Sequence, residues 1–230
     1  MILNPTKIPG AYTVELEKRA DARGFFARGW CSHEFGEHGL PNQIVQMNIS
    51  MNLRRHTLRG FHYQIAPHSE DKLMRCVRGA VYDVMLDLRP DSPTFMCHMT
   101  VELSDANYRM LLVPTGCANA FLTLADETEV MYLVSEFYTP AAERGVRWND
   151  PALGIKWPIR DATSLSDRDS ALPSRRSQVN QQARQPRPLS RVEGALGQGR
   201  VEDGTGHLSA WTRLRQTQSC QPRQVLTGDF

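Results

Sequence analysis

The sequence lacks the features that mark several classes of protein. It has no run of about 18 apolar residues, so no segment is predicted to span a membrane. The first residues do not combine a charged segment with an apolar one, and we expect no secretory leader. The five cysteines are odd in number and have no C-x-x-C spacing, which favours free thiols in a reducing compartment. We therefore expect a cytoplasmic protein.

A closely spaced H-x-H pair is also missing, and we find no second cluster of metal-ligand residues downstream. His62, His68 and Glu70 are the residues from which a metal site could be drawn. Short motifs of this kind are only hypotheses. We expect no metal and no other cofactor, and metal analysis of the purified protein tests this.

Lysine is absent from residues 174–230, which contain nine arginines, nine glutamines and four acidic residues. The remaining body has 18 basic and 21 acidic residues. A body with a net charge near −3 therefore precedes a tail with a net charge near +5. The apolar residues of the tail follow neither helical nor strand periodicity, and it has little with which to build a core. Aromatic residues do not alternate with its arginines, so we do not expect nucleic-acid binding. We predict a folded domain at 1–173 and a disordered Arg/Gln-rich tail at 174–230.

The body itself contains many short strand-like runs separated by Pro and Gly. The predicted strands are 8–17, 74–77, 80–88, 99–103, 109–113 and 129–137, with a hairpin turn at Arg78-Gly79 and short helices at 32–38 and 105–109. Many strands and few helices predict an all-β sandwich or barrel. In such a barrel His62, Lys72 and Tyr132 could share one interior, because alternate side chains of each strand point inward.

Residues 58–64 (LRGFHYQ) are the centre of the functional prediction. They place His62 between aromatic side chains, and Gly60 allows the backbone to bend or to approach another group closely. An imidazole can take up a proton near neutral pH, which suits proton abstraction. A histidine that is only part of a barrel wall is the alternative interpretation of this motif alone.

Further motifs follow in a fixed order around this centre. They are residues 21–26 (DARGFF), 46–50 (QMNIS), 58–64 (LRGFHYQ), 72–73 (KL), 79 (G), 83–84 (DV), 87–89 (DLR), 92–95 (SPTF), 132 (Y), 138 (Y), 148–151 (WNDP), 157–158 (WP) and 165–169 (LSDRD). Together they resemble the dTDP-4-dehydrorhamnose 3,5-epimerases, enzymes with a cupin-type jelly-roll barrel. The resemblance covers roughly residues 3 to 173.

The resemblance implies inversion of carbons beside the ketone of a dTDP-linked 4-keto-6-deoxy sugar. Such chemistry needs a base, a group that stabilises the enolate oxygen, and an acid on the opposite face. By resemblance, His62 is the base and Asp169 its partner. Lys72 stabilises the enolate, and Tyr132 returns a proton.

The resemblance also assigns residues that bind the substrate. Guanidinium groups make bidentate contacts to phosphate oxygens, which suits two arginines to the diphosphate. The implied binding residues are Arg23 and Arg59 for the diphosphate, Gln46 and Asn48 as neutral donors, Phe26 and Tyr138 as apolar wall, and Asn119. A homodimer is implied as well, with N-terminal strands of one subunit completing the nucleotide site of the other.

Three positions depart from the family pattern. Asn119 stands where the family has a histidine, Arg28 where it commonly has an acid, and Asn52 where it has a serine. An asparagine cannot carry a charge near neutral pH. The alternatives are therefore a single-position epimerase (C3 or C5), a ketoisomerase on a related nucleotide sugar, and a non-catalytic sugar-binding barrel with the tail as its working part.

Overall fold

A computed structural model describes residues 1–174, so all but the first residue of the predicted tail lies outside the described residues. The domain boundary after residue 173 stays a prediction. The strands of the described chain are β1 (Ile2–Pro5), β2 (Tyr12–Glu15), β3 (Arg19–Asp21), β4 (Gly24–Phe26), β5 (Gln46–Asn52), β6 (Leu58–Gln64), β7 (Lys72–Arg78), β8 (Ala80–Asp87), β9 (His98–Ser104), β10 (Met110–Val113), β11 (Cys117–Thr123), β12 (Thr128–Val134) and β13 (Glu143–Gly145).

Two antiparallel sheets face each other and enclose the core. The six-stranded sheet has the order β1-β2-β10-β7-β12-β5, and the five-stranded sheet has the order β13-β6-β11-β8-β9. Their facing sides pack a shared apolar cluster that includes Met74 and Val130 from one sheet and Met85 and Phe121 from the other. Strands β3 and β4 form a separate hairpin. The predicted all-β jelly-roll class is confirmed.

The predicted hairpin at Arg78-Gly79 is wrong. β7 pairs with β10 and β12, whereas β8 pairs with β9 and β11, so the turn carries the chain from one sheet to the other. Gly79 has a φ of 77°, and a Cβ there would lie 2.7 Å from the hydroxyl oxygen of Thr128. Glycine allows this tight corner, which sequence periodicity alone cannot distinguish from a hairpin turn.

Helices are few and short, and one of the two predicted helices is wrong. The helix predicted at 32–38 is present as α1 (Ser32–Glu37). Residues 105–109 instead form a turn, because the Asn107 side-chain oxygen accepts hydrogen bonds from the backbone N–H groups of Ser104 and Arg109. Further on lie a 3-10 helix, Pro151–Leu153, and the short α2, Asp167–Ser170. No helix within residues 1–174 is long and apolar enough to cross a bilayer.

The segment after β13 covers the outer face of the five-stranded sheet. Trp157 contacts the rings of Phe61, Tyr82 and Trp148, and the Leu58 N–H donates to the carbonyl of Ser164 at 3.0 Å. This apolar cover holds the end of the domain against β6. As a result α2 is placed beside the strand that carries His62.

Three cysteines of the described chain, Cys31, Cys76 and Cys117, carry free thiols, as predicted. Burial raises the pKa of Cys76 to about 11 and that of Cys117 to about 12. Both thiols are therefore protonated and unreactive near neutral pH.

Candidate active site

The candidate site is built first on β6, whose side chains alternate between the two faces of its sheet. Phe61 and Tyr63 pack into the outer cluster under the C-terminal segment, so His62 projects to the other side. β6 lies very close to β11 at this point: a Cβ added at Gly60 would lie only 2.5 Å from the carbonyl oxygen of Asn119. The predicted close approach at Gly60 is thus an approach of two strands.

His62 and Asp169 are in direct contact across 107 residues of sequence. His62 Nε2 lies 2.6 Å from Asp169 Oδ1, and the Asp169 backbone N–H donates to the Ser166 hydroxyl at the start of α2. Burial opposes ionisation of Asp169, but the hydrogen bond and charge of His62, together with hydrogen bonds from the Gly60 backbone and Ser166, outweigh that effect and hold its pKa below the usual value. The pair therefore combines an ionised carboxylate with a ring that keeps 28 % of its surface exposed.

Lys72, at the start of β7, carries an ion pair that the sequence interpretation did not foresee. Its Nζ lies 2.9 Å from Glu70 Oε1, and the two side chains are only 13 % and 10 % exposed. The sequence interpretation considered Glu70 only as a possible metal ligand. In the structure it balances the charge of Lys72 inside the protein.

Tyr132 lies on β12 between Asn48 of β5 and Met74 of β7. Burial raises the pKa of its hydroxyl, and the negative charges of Glu70 and Glu143 add to that effect. The phenol is therefore protonated near neutral pH and can act as a proton donor. Because Tyr132 belongs to the six-stranded sheet and His62 to the five-stranded one, they approach the interior from opposite sides.

Arg59 is held in place by one of the positions that depart from the family pattern. Its Nε donates to Asn52 Oδ1 at 2.7 Å, and the Asn52 amide donates to the carbonyls of Ser50 and Thr128. Asn52 is buried, whereas Arg59 is exposed. The guanidinium thus lies at the mouth of the site with its orientation fixed by a buried amide.

A second cluster at the mouth includes two residues that the sequence interpretation missed. The Tyr138 hydroxyl donates to Glu143 Oε2 at 2.5 Å, and Gln46 Oε1 accepts from the Tyr138 backbone N–H at 2.7 Å. Glu143 also pairs with Arg168. Burial opposes ionisation of Glu143, but Arg168 and Tyr138 hold its pKa low. Arg168 adjoins Asp169 in the LSDRD motif, a signal that could have identified it, whereas no pattern singled out Glu143.

Asn119 faces the interior from β11, where it pairs with His62 on one side and Met85 on the other. It is 6 % exposed, and its amide donates to the sulfur of Met74. Asp83 on β8, a motif residue to which the sequence interpretation gave no role, is fully buried nearby, and a hydrogen bond from Asn119 favours its ionised form.

Arg23 and Phe26 are not brought to this site within the described chain. They lie in and beside the β3–β4 turn, where Arg23 pairs with Asp21 and its side chain is 89 % exposed. Phe26 is 68 % exposed. Arg28, the remaining departure from the family pattern, donates to Glu34 at 2.9 Å and is also exposed.

The residues considered for a metal site do not form one. Within residues 1–174 no three His, Cys, Asp or Glu side chains group as metal ligands. His62 is paired with Asp169 and Glu70 with Lys72.

These contacts give a buried interior with a histidine–aspartate pair on one sheet and a phenol on the other. The family model described as dTDP-4-dehydrorhamnose 3,5-epimerase matches residues 5–177. The chain belongs to this family. The predicted recognition and the isomerase class are thereby confirmed, while the roles of individual residues stay predictions.

Relatives within the dTDP-4-dehydrorhamnose 3,5-epimerase family agree over the same part of the chain. The enzyme of this name from Salmonella typhimurium is 38 % identical over 174 residues, which is 75 % of this chain and 94 % of that protein. A dTDP-4-dehydrorhamnose 3-epimerase from Streptomyces niveus is 39 % identical, covering 74 % and 81 %. The crystal structure of the Bacillus anthracis 3,5-epimerase, with TDP and pyrophosphate bound, is 40 % identical with a TM-score of 0.73, covering 75 % and 98 %.

Proposed function

We propose that this protein epimerises a dTDP-linked 4-keto-6-deoxyhexose, converting dTDP-4-dehydro-6-deoxyglucose to dTDP-4-dehydrorhamnose. The observation that carries the proposal is the 2.6 Å contact between His62 and Asp169, at a site that also includes Lys72 and Tyr132. A base with a fixed carboxylate partner, opposite a protonated phenol, suits removal of a proton from one face of a carbon and its return to the other.

Each catalytic residue has one role in this mechanism. His62 takes the proton from the carbon beside the C4 ketone, and Asp169 orients the ring and stabilises the imidazolium that forms. Lys72 stabilises the negative charge on the enolate oxygen. Tyr132 donates a proton to the carbon from the opposite face, because its raised pKa keeps the hydroxyl protonated.

The nucleotide end of the substrate fits the mouth of the site. Arg59 is the cation for the diphosphate, with Gln46 and Asn48 as neutral partners and Tyr138 as part of the wall, while Asn119, buried on β11, contacts the sugar. The TDP in the Bacillus anthracis relative supports a dTDP-linked ligand.

A homodimer is part of the proposal, and two features support it. Val45, Met47, Ile49, Met51 and Leu53 are 38 to 72 % exposed on the outer face of β5 and its ends, at the edge of the six-stranded sheet. Such a contiguous apolar strip on a sheet edge is characteristic of an interaction surface.

The second supporting feature is the exposed hairpin of β3 and β4. Arg23 and Phe26 make no described contact with the His62 site of their own chain. The nucleotide bound in a partner subunit would be their ligand. In the dimer they contribute to the nucleotide site of the other subunit. A cytoplasmic location, in keeping with a nucleotide-sugar substrate, completes the proposal.

The test is proton NMR of dTDP-4-dehydro-6-deoxyglucose in D₂O with the enzyme and with a His62→Ala variant. Deuterium entering at both C3 and C5, and lost in the variant, is the expected result. Exchange that persists in the His62→Ala variant would refute the role of His62. A complete lack of exchange in the wild type would favour a barrel that only binds sugars.

A single-position epimerase is the second candidate, favoured by Asn119 and by the Streptomyces niveus 3-epimerase among the relatives. A neutral amide stands where the family has a histidine, so an inversion that depends on the charge of that histidine would be slowed. Deuterium at C3 alone, with none at C5 after prolonged incubation, would establish this candidate.

A further inference from the structure

Asp83 is a buried carboxyl that the proposed mechanism does not use. It is 0 % exposed, and neither of its oxygens has a hydrogen-bond partner of full geometry among the described residues. The other buried carboxylate of β8, Asp87, differs sharply. It accepts hydrogen bonds from Arg89, Ser92 and Thr94, and its pKa is lowered to about 2.

The surroundings of Asp83 favour its neutral form. Burial raises its pKa to about 7, and only Asn119 and Lys72 oppose that effect. An uncompensated carboxylate is costly in an apolar interior, so Asp83 keeps its proton below about pH 7. The apolar cluster between the two sheets holds three other titratable groups, the Cys76 and Cys117 thiols and the Tyr132 phenol, and the pKa of each is raised above its ordinary value.

The charge of Asp83 matters because of Lys72. Lys72 already has one carboxylate, Glu70, at 2.9 Å. If Asp83 also ionised, two carboxylates would act on one ammonium, and the local charge would become negative where the enolate develops. That would oppose formation of the enolate.

We propose that Asp83 is a positioning residue that keeps Lys72 effective while it is protonated, and that its ionisation inhibits the enzyme. This inference rests on the proposed function. The histidine of the family is replaced by Asn119, which cannot supply a cation to hold the carboxyl ionised. Asp83 thereby becomes a proton-dependent control of the same site.

The first experiment compares the rate of deuterium incorporation of the wild type and Asp83→Asn across about pH 6 to pH 9. The amide preserves the shape of the neutral acid but cannot ionise. We expect the wild-type rate to fall about tenfold between about pH 6.5 and pH 8.5, and the variant to show no such fall. Because the Tyr132 pKa is raised above its ordinary value, its ionisation cannot account for a fall in this range.

Two results would overturn the inference. One is a fall in the exchange rate at alkaline pH that persists unchanged in Asp83→Asn. The other is an exchange rate of that variant at pH 6 that is more than about a hundredfold below the wild-type rate, which would mean that the ionised form is required. A wild type that exchanges no deuterium at any pH would overturn the proposed function instead. The two failures are therefore distinguishable.

A second experiment measures the ionisation of Asp83 without an activity assay. Carboxyl ¹³C NMR of the protein labelled at aspartate should show one resonance that titrates near pH 7 and disappears in Asp83→Asn. Asp87 is the internal control, since it should stay ionised throughout. In Asn119→His an imidazolium beside the carboxyl should make Asp83 ionise at lower pH. An Asp83 resonance that is already ionised at about pH 5 in the wild type would contradict the inference.

Discussion

Three carboxyl groups of the site have different partners, and the partner determines the charge of each. Asp169 contacts His62 and Glu143 contacts Arg168 and Tyr138, so both have lowered pKa values in spite of burial. Asp83 has no such partner, and burial raises its pKa. Residues of one chemical type can therefore serve as an orienting anion, a structural anion and a neutral acid within one domain.

Replacing Asp169 with Asn tests the role of the orienting anion. We expect kcat to fall by about 10² to 10⁴-fold, with a much smaller change in KM, because an amide cannot stabilise the imidazolium that forms in the reaction. Steady-state kinetics on dTDP-4-dehydro-6-deoxyglucose checks this. Asp167→Asn is the matched control on the same helix, since Asp167 is exposed. Equal loss in both variants would show that the effect comes from α2 as a whole.

The buried acid Asp83 predicts a dependence of stability on pH. In the unfolded chain the carboxyl ionises near its ordinary value of 3.8, whereas in the fold it keeps its proton until about pH 7. Between these values the folded state binds more protons, so the free energy of unfolding falls as the pH rises. The upper limit of the effect is about 4 kcal/mol.

Urea denaturation at a series of pH values checks this prediction. The stability of Asp83→Asn relative to the wild type should increase from about pH 4 to about pH 7 and then stay level. The effect of Asp87 on the free energy of unfolding has the opposite sign, because its lowered pKa contributes stability that is lost as the pH falls below about 4. A stability difference between Asp83→Asn and wild type that does not change with pH would argue against a neutral Asp83.

At the scale of elements, the approach of β6 to β11 sets the position of the base. Gly60 has a φ of 115°, and a Cβ there would lie 2.5 Å from the Asn119 oxygen and 2.6 Å from the Ala120 Cα. Backbone atoms cannot move aside as the end of a side chain can. The glycine is thus required by the packing of two strands, and the next inward residue along β6 is His62.

Gly60→Ala should therefore destabilise the domain by more than about 2 kcal/mol, because the added methyl group clashes with backbone in a left-handed conformation. Thermal denaturation followed by circular dichroism measures the effect. Gly29→Ala is the matched control, since no atom lies within 4 Å of a Cβ added there. A Gly60→Ala protein as stable as the control would mean that the strands can separate at little cost.

At the scale of the whole molecule, the six-stranded sheet has two edges of different character. The β5 edge has the apolar strip described above, whereas β1 at the opposite edge exposes one large apolar side chain, Ile2. Soluble monomers rarely expose a contiguous apolar surface of this kind. The asymmetry points to the β5 edge as the surface that a second copy covers.

Ile49→Glu should convert the proposed dimer to a monomer, because a carboxylate in the middle of an apolar interface would be buried without a partner. Sedimentation equilibrium of the full-length variant measures the mass directly. Ile2→Glu, which changes an exposed isoleucine at the other edge, should leave the mass unchanged. A dimer that survives Ile49→Glu would place the interface elsewhere.

The sequence by itself was sufficient for the fold class, the family and most of the residues now proposed for the site. These depend on local patterns, such as the alternation along β12 and the motifs around His62 and Asp169. Each of these patterns can be recognised within one short segment of the sequence. The same local character explains the errors. The Arg78-Gly79 turn fits a hairpin by its residues, and only the pairing of β7 and β8 with other strands shows that it crosses between sheets.

Tertiary structure alone decided which charges meet. The pairing of Glu70 with Lys72, the cluster around Glu143 and the raised pKa of Asp83 depend on burial and on neighbours that are distant in sequence. A pKa is set by the desolvation and the charges around a group, and neither is written in the spacing of residues. Most of the residues proposed for this site could thus be predicted from the sequence, but their charge states follow from the way the two sheets close over them.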